Sequence, residues 1–137
     1  MSSLKDAPGV SPSPMVSVVI PVFNAERYLG ECIKSLQAQT MRDFEIIAVD
    51  NGSTDASVAI LRDMAQEDPR ISVLSSEGNA GVARNAGMEK AQGKYLLFLD
   101  ADDFFAPELL QDTVAAAENK QAQLVLFGGR RFDDARQ

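Results

Sequence analysis

The chain has 137 residues, of which 45% are hydrophobic and 24% charged, and this is the composition of one globular domain. Its net charge of −7 argues against binding to nucleic acid or to an anionic membrane, and the absence of histidine excludes Ser-His-Asp catalysis and histidine-ligated zinc. The single cysteine, Cys32, allows no intrachain disulfide, and no apolar run has the length of a membrane span. We therefore expect a protein of the cytoplasm, working there or at the inner face of the membrane.

Apolar strands and amphipathic helices alternate along the chain after a polar, proline-containing lead at residues 1–14, which we expect to be disordered. The predicted strands are 15–22, 44–50, 70–76, 94–100 and 122–129, and the predicted helices are 25–39, 53–66, 79–92 and 106–120. A polar end, residues 130–137, follows the last strand. This alternation is typical of an α/β domain with an open, doubly wound, mainly parallel sheet and helices on both faces.

Polar segments follow four of the predicted strands. They are residues 21–26, 50–55, 77–85 and 100–103. In an open α/β sheet a ligand binds beyond the carboxyl ends of the strands, so we expect these four segments to meet around one site.

Three carboxylates, those of Asp100, Asp102 and Asp103, follow the unbroken apolar run 95–99. Acids spaced in this way can offer oxygen ligands to Mg²⁺ or Mn²⁺, and such ions commonly bind through one or two carboxylates together with substrate phosphates. The pattern therefore predicts a metal site that a diphosphate completes. The alternative is that these acids cap a helix or lie in a solvated loop.

The segments "VSVVIPVFNAERYLGECIKSLQAQT", "FEIIAVDNGSTDAS" and "NAGVARNAGMEKAQGKYLLFLDADD" resemble the beginning of family-2 glycosyltransferases. The resemblance covers about residues 16–129 and implies the GT-A fold, with core strand order 3-2-1-4. It also implies inverting transfer of a sugar from a nucleotide-diphosphate sugar, with UDP as the expected nucleotide, to a hydroxyl of a saccharide or lipid-linked acceptor. The expected setting is bacterial cell-surface polysaccharide or glycan synthesis.

The resemblance also implies a role for each matching residue. Asp50 would accept a hydrogen bond from the uracil ring, and Arg84 would approach the base or the diphosphate. Asp102 would bind the Mn²⁺ or Mg²⁺ that bridges the diphosphate, and Asp100 would face the ribose or sugar and is the second candidate metal ligand. Asn51 stands where many members carry a second aspartate. The donor-binding residues implied are Pro21, Val22, Phe23, Asn24, Glu26, Asp50, Asn51, Gly52, Arg84, Asp100 and Ala101.

Structural roles remain open for several of these side chains. Asp50 could cap the next helix, Glu26 could be a helix-start acid, and Arg84 could pair with Glu77 or Glu89 on the surface. Three other residues, Cys32, Tyr28 and Phe98, are predicted to fill the core.

The acceptor half of the family's catalytic domain, with its general base, has no counterpart among these motifs. We therefore expect a donor-binding half, cut near residues 130–137 and inactive alone, whose hydrophobic strand 122–129 has an open edge that favours homo-oligomers. One alternative is a nucleotide-sugar-binding fragment without activity. A receiver-like signalling domain is less favoured, because the required acids and lysine are absent after its first, third and fifth strands.

Overall fold

The structure is a computed structural model that describes residues 13–120. Its strands are β1 (Val16–Val22), β2 (Phe44–Asp50), β3 (Ile71–Ser75) and β4 (Tyr95–Phe98), and its helices are α1 (Leu29–Gln37), α2 (Ser57–Glu67), α3 (Ala80–Lys90) and α4 (Leu109–Lys120). The predicted strand 122–129 and the polar end lie outside the described residues, as does most of the lead. Pro14, at the end of that lead, is buried, and its carbonyl accepts the amide of Lys94.

The four strands form one parallel sheet in the order β3-β2-β1-β4, which confirms the predicted fold class. Because β1 pairs with both β2 and β4, the polar segments that follow these three strands emerge side by side. A receiver-like domain instead places β3 next to β1. The observed order therefore excludes the signalling alternative.

The two faces of the sheet are covered unequally. One face of β1 and β2 packs with buried residues of α1, α2 and α4 in a large cluster that includes Ile20, Ile46 and Leu110. The other face packs under α3 in a small cluster that includes Val19 and Ile47. This alternation explains the unbroken apolar runs in β1 and β2, since every second side chain is buried on each face.

Helix α3 lies close to the sheet because it carries glycine and alanine where it crosses β1. A Cβ built on Gly87 would lie 2.4 Å from Val19 Cγ1, well inside van der Waals contact. No other residue type fits there without movement of the helix or the strand. The Gly and Ala content of this helix thus allows it to pack closely against the sheet.

The core assignment of Phe98 was wrong. Its side chain is 39% exposed and Leu96 is 37% exposed, while Tyr95 and Leu97 on the opposite face pack against the large cluster. The register pairs Phe98 with Val19, so Phe98 points to the face that α3 covers over β1 and β2. Among the described residues, β4 is an edge strand, and the small cluster under α3 includes none of its residues.

Three of the helices begin later than the sequence pattern predicted: α1 at Leu29 instead of 25, α2 at Ser57 instead of 53, and α4 at Leu109 instead of 106. For α1 and α2, the residues predicted to form the first helical turn lie instead in the loops after β1 and β2, and hydrogen bonds join these two loops. Asn24 has a φ of +47°, a left-handed backbone conformation that ends the extended strand before α1. The residues that appeared to be first helical turns are therefore parts of the site loops.

Candidate functional site

A cavity of about 340 Å³ opens at the carboxyl ends of β1, β2 and β4. It is lined by Pro21, Val22, Phe23, Asn24, Ala25, Tyr28, Asn51, Ala80, Arg84, Asp100, Ala101 and Asp102. All of them except Tyr28 come from the four polar segments that follow the predicted strands, and each segment contributes at least one. A second cavity, of about 710 Å³, lies beside the beginnings of β2 and β3, away from the acidic cluster.

Nine of the predicted site residues line the first cavity, and three do not. Glu26, Asp50 and Gly52 are not among its lining residues. Three lining residues, Ala25, Tyr28 and Ala80, were missed. Tyr28 was missed because its helical spacing with Leu29 and Cys32 suggested a core position, whereas the turn before α1 directs it to the cavity.

The loops after β1 and β2 are bound to each other through side chains. Asn24 donates its amide to Ser53 Oγ (2.9 Å) and accepts the amide of Thr54 at its own Oδ1 (2.8 Å). The amide of Glu26 donates to Asp55 Oδ2 at 3.1 Å, and Asp55 Oδ1 accepts the amide of Ser57. Hydrogen bonds from Ser57 hold the pKa of Asp55 below its usual range. The carboxylate of Asp55 is therefore a structural link between the two loops.

Asp50 lies at the end of β2 with only 6% of its surface exposed. Its Oδ2 accepts the amide of Ser53 at 3.2 Å, so the side chain closes the turn before α2. Within residues 13–120, its Oδ1 is buried and has no hydrogen-bond partner. A buried carboxylate oxygen without a donor is unusual in native proteins and is suited to a donor from a ligand.

Asn51 connects three loops at the back of the cavity. Its backbone amide donates to the carbonyl of Val22 (2.8 Å), and its side-chain Nδ2 donates to the carbonyl of Gly78 (2.7 Å). Its Oδ1 accepts the hydroxyl of Ser76 at 3.2 Å. The neutral amide donates and accepts at once, which a carboxylate at this position could not do. The departure from the family's second aspartate thus has a structural use.

The three acids after β4 converge. One carboxylate oxygen from each of Asp100, Asp102 and Asp103 lies within 4.8 Å of the others. The loop is closed by a hydrogen bond from the amide of Asp103 to the carbonyl of Asp100 (3.0 Å). Oxygen ligands at this spacing fit a hard divalent cation such as Mg²⁺ or Mn²⁺. Two of the three acids, Asp100 and Asp102, also line the cavity, so the candidate cation site lies at the cavity.

Arg84 reaches across the mouth of the cavity from α3. Its Nη2 lies 3.7 Å from Asp100 Oδ1, and both side chains are about half exposed. Among the described residues, this ion pair replaces the pairs with Glu77 or Glu89 that the sequence left open. A cation and an anionic cluster therefore share the site.

Cys32 is buried beneath the acidic loop, residues 100–104, as expected for a core residue. Its Sγ lies 3.7 Å from the carbonyl oxygen of Asp100. Burial, followed by the charges of Asp103, Asp102 and Asp100, raises the pKa of the thiol to about 12. The thiol therefore stays protonated at neutral pH and can donate to that carbonyl.

Residues 17–137 match the sequence profile of Glycosyl transferase family 2. The chain belongs to this family. The observed fold agrees with that assignment, and so do the sequence motifs after the strands, which resemble those of the family. Within residues 13–120, no helix of this family-2 glycosyltransferase chain is both long and apolar enough to cross a bilayer.

Bacterial relatives share extended sequence similarity with the family-2 chain. An uncharacterized glycosyltransferase of Haemophilus influenzae is 43% identical over 100 residues, covering 72% of this chain and 40% of the relative. Glycosyltransferase EpsJ of Bacillus subtilis, also uncharacterized, is 40% identical over 116 residues, which cover 84% and 34%. A poly(ribitol-phosphate) beta-glucosyltransferase of Bacillus spizizenii is 37% identical over 116 residues, which cover 81% and 18%. The chain thus spans well under half the length of these relatives.

Solved structures share the fold. S. aureus TarS 1-349 superposes with a TM-score of 0.73 at 31% identity, covering 78% of this chain and 33% of TarS 1-349. Its complex with UDP-GlcNAc gives a TM-score of 0.71 at the same identity, with 32% of that protein covered. The mannosyltransferase PcManGT from Pyrobaculum calidifontis, in complex with GDP-Man and Mn2+, is 24% identical with a TM-score of 0.66 over 78% and 33% of the two chains, a likeness of fold.

Proposed function

We propose that the cavity binds the nucleotide diphosphate of a UDP-sugar and that the acidic loop, residues 100–104, supplies the ligands of a divalent cation there. The observation that carries this proposal is the convergence of three carboxylates beside a cavity that Arg84 also lines. The UDP-GlcNAc complex of S. aureus TarS supports the choice of nucleotide, and the Mn²⁺ complex of PcManGT supports a divalent metal.

The residues have separate roles in this proposal. The buried Oδ1 of Asp50 accepts an N–H of the uracil ring, for which an aspartate acceptor at the back of the loops is suited. The residues from Pro21 to Glu26 border the base and ribose. Asp102, with Asp100, holds Mn²⁺ or Mg²⁺, which when bound neutralises charge on the departing diphosphate. The guanidinium of Arg84 faces the diphosphate, either after its ion pair with Asp100 breaks or while that ion pair is kept.

The reaction proposed for the whole enzyme is direct displacement with inversion. The acceptor hydroxyl oxygen bonds to the anomeric carbon as the bond from that carbon to the diphosphate oxygen breaks. The hydroxyl proton passes to a base outside this chain, so we propose that the chain binds donor and does not transfer sugar alone. Cell-surface polysaccharide synthesis is the proposed setting, in the cytoplasm or at the inner face of the membrane. The name of the poly(ribitol-phosphate) beta-glucosyltransferase relative supports a polymer as the acceptor.

UDP titration by calorimetry, with Mn²⁺ and with EDTA, tests the donor site. We expect Mn²⁺ to raise the affinity of the wild type for UDP, and Asp102→Asn to abolish most of that gain because one charge is lost from the cation site. Asp63→Asn removes the same charge from an exposed position on α2 and should change nothing. A gain that survives Asp102→Asn would contradict the metal role. Sugar transfer from UDP-GlcNAc to any acceptor by the wild-type chain would contradict the claim that the chain is inactive alone.

A further inference from the structure

One side of α1 and of the residues that follow it, 38–40, faces the chain segment that leaves the acidic loop. Ser35 Oγ accepts the amide of Phe105 at 3.2 Å and donates to the carbonyl of Cys32 at 2.6 Å. The amide of Thr40 donates to the carbonyl of Pro107 at 2.8 Å. The same side therefore contacts successive residues of that segment.

Gln39 makes the central contacts of this side. It is only 2% exposed, and its Nε2 donates to the carbonyls of Ala106 (2.7 Å) and Ser35 (3.1 Å). Its Oε1 accepts the amide of Leu110 at 3.0 Å. The first amides of a helix have no acceptor within that helix, so Gln39 caps α4 from the chain segment that follows α1. One buried amide thus satisfies groups on both sides of residues 107–109.

The acidic loop needs such support. Its three carboxylates lie within 4.8 Å of one another, and like charges at this distance repel each other and favour an open loop. The segment that Ser35 and Gln39 hold begins two residues after Asp103, a length of chain that spans only about 7 Å. Movement at residues 105–106 would therefore displace the carboxylates from one another.

We propose that Gln39, assisted by Ser35, is a positioning residue for the acidic loop, and that its hydrogen bonds hold the carboxylates converged for a divalent cation. The proposal rests on the function proposed above. It assigns a role to a residue outside the cavity lining, 61 positions before Asp100 in the chain. Groups that orient metal ligands in this way change metal affinity by about 10- to 100-fold when they are removed.

Gln39→Met tests the role, because methionine has a similar length and volume but makes none of the three hydrogen bonds. We expect the gain in UDP affinity that Mn²⁺ provides to fall about 10-fold, while the UDP affinity in EDTA stays as in the wild type. Ser35→Ala keeps a good helix former and should lower the gain in the same direction by less. It provides a second test if Gln39→Met folds poorly.

Gln37→Met is the matched control, two residues earlier at the end of α1. Gln37 Nε2 donates to Asp68 Oδ2 at 3.1 Å, so this variant also loses a side-chain hydrogen bond, but to the turn before β3. The Mn²⁺ gain should be unchanged in it. Amide hydrogen exchange without any ligand gives an independent measure. The amides of Asp103 and Phe105 should exchange faster in Gln39→Met than in the wild type, and at the wild-type rate in Gln37→Met.

The possible outcomes separate this inference from the function on which it rests. A wild-type chain that gains no UDP affinity from Mn²⁺ would overturn the proposed metal site and this role with it. A wild-type gain that Gln39→Met and Ser35→Ala retain in full would overturn the positioning role alone. An equal loss in Gln37→Met would also overturn it, because the effect would then be general destabilisation, as would unchanged exchange of the Asp103 and Phe105 amides in Gln39→Met.

Discussion

Arg84 Nη2 lies 3.7 Å from Asp100 Oδ1 across the mouth of the cavity, so that a cation of α3 meets the first acid after β4. The two side chains are 42% and 52% exposed. An ion pair with this exposure is screened by water and contributes little to stability. The arrangement therefore matters less for folding than for what it offers a ligand: a guanidinium already directed at the place proposed for the diphosphate.

Replacing Arg84 should weaken nucleotide binding without weakening the fold. We expect Arg84→Ala to lower UDP affinity by about 10-fold in Mn²⁺, since a charge-assisted contact to a phosphate is lost. The midpoint of thermal unfolding should stay unchanged. Arg62→Ala removes an exposed arginine of α2 and should leave both quantities unchanged. Calorimetric titration and thermal melts measure them, and wild-type UDP affinity in Arg84→Ala would remove the guanidinium from the proposed site.

Asp50→Asn tests the buried acceptor. The asparagine side chain keeps one oxygen, which can accept the Ser53 amide. It then places an NH2 group, which donates and does not accept, where Oδ1 of Asp50 now lies. UDP affinity should fall by about 10- to 100-fold, equally in Mn²⁺ and in EDTA, because a contact to the base needs no cation. This equal loss distinguishes Asp50 from Asp102, whose loss should appear only with metal. A loss confined to Mn²⁺ would show that Asp50 acts at the metal and not at the base.

Gly87→Ala should destabilise the fold, since the added Cβ meets Val19 Cγ1 at 2.4 Å. Overpacking of this kind costs about 1–3 kcal/mol, and the higher helix propensity of alanine offsets up to about 1 kcal/mol of it. Gly30→Ala in α1 is the control, because a Cβ there has no atom within 4 Å, and it should be neutral or stabilising. Urea unfolding measures both variants. Equal stability of the two would mean that α3 can move away from the sheet at little cost.

Asp68 and Arg70 form a buried ion pair at 3.1 Å, and Arg70 also lies over the ring of Phe44 at 4.3 Å. Burial of Asp68 opposes its ionisation, but hydrogen bonds from Arg70 and Gln37 outweigh that effect and hold its pKa below the usual range. Because the pKa is lower in the folded state, the stabilisation is fully present above the unfolded-state pKa and is lost as the pH falls through the folded-state value.

We therefore expect Asp68→Asn to lower the free energy of unfolding by about 3 kcal/mol at neutral pH, since it leaves Arg70 buried without its charged partner. The difference from the wild type should shrink as the pH falls below about 4, the usual carboxyl pKa, toward the lower folded-state pKa of Asp68. Urea titrations at neutral and acidic pH measure it. A difference that stays constant over this range would assign the effect to packing instead of charge. Asp63→Asn, at an exposed position, is the control and should show little change at either pH.

The sequence was sufficient for the architecture because the two kinds of element have different periods. The apolar runs of β1 and β2 and the helical stripe of Leu29, Ile33 and Leu36 are local patterns, and they specified a parallel α/β sheet with acids at the strand ends. The acids at 100, 102 and 103 could be assigned to a metal from spacing and chemistry alone. The order β3-β2-β1-β4 came from the family resemblance, since no local pattern records which strands are neighbours.

What only the tertiary structure decided depends on contacts between residues far apart in the chain. The helix starts moved because side chains of one loop bind amides of another, as Asn24 does with Thr54. Phe98 is exposed because it lies on the edge strand of the described sheet, outside the small cluster under α3, and its apolar neighbours in sequence could not reveal that position. Gln39 reads as an ordinary polar residue at a helix end, and its role emerges only because folding buries it against residues 67 to 71 positions later. The physical reason is common to all three: burial and hydrogen bonding across the fold are set by which elements meet, and a local sequence pattern carries no record of that meeting.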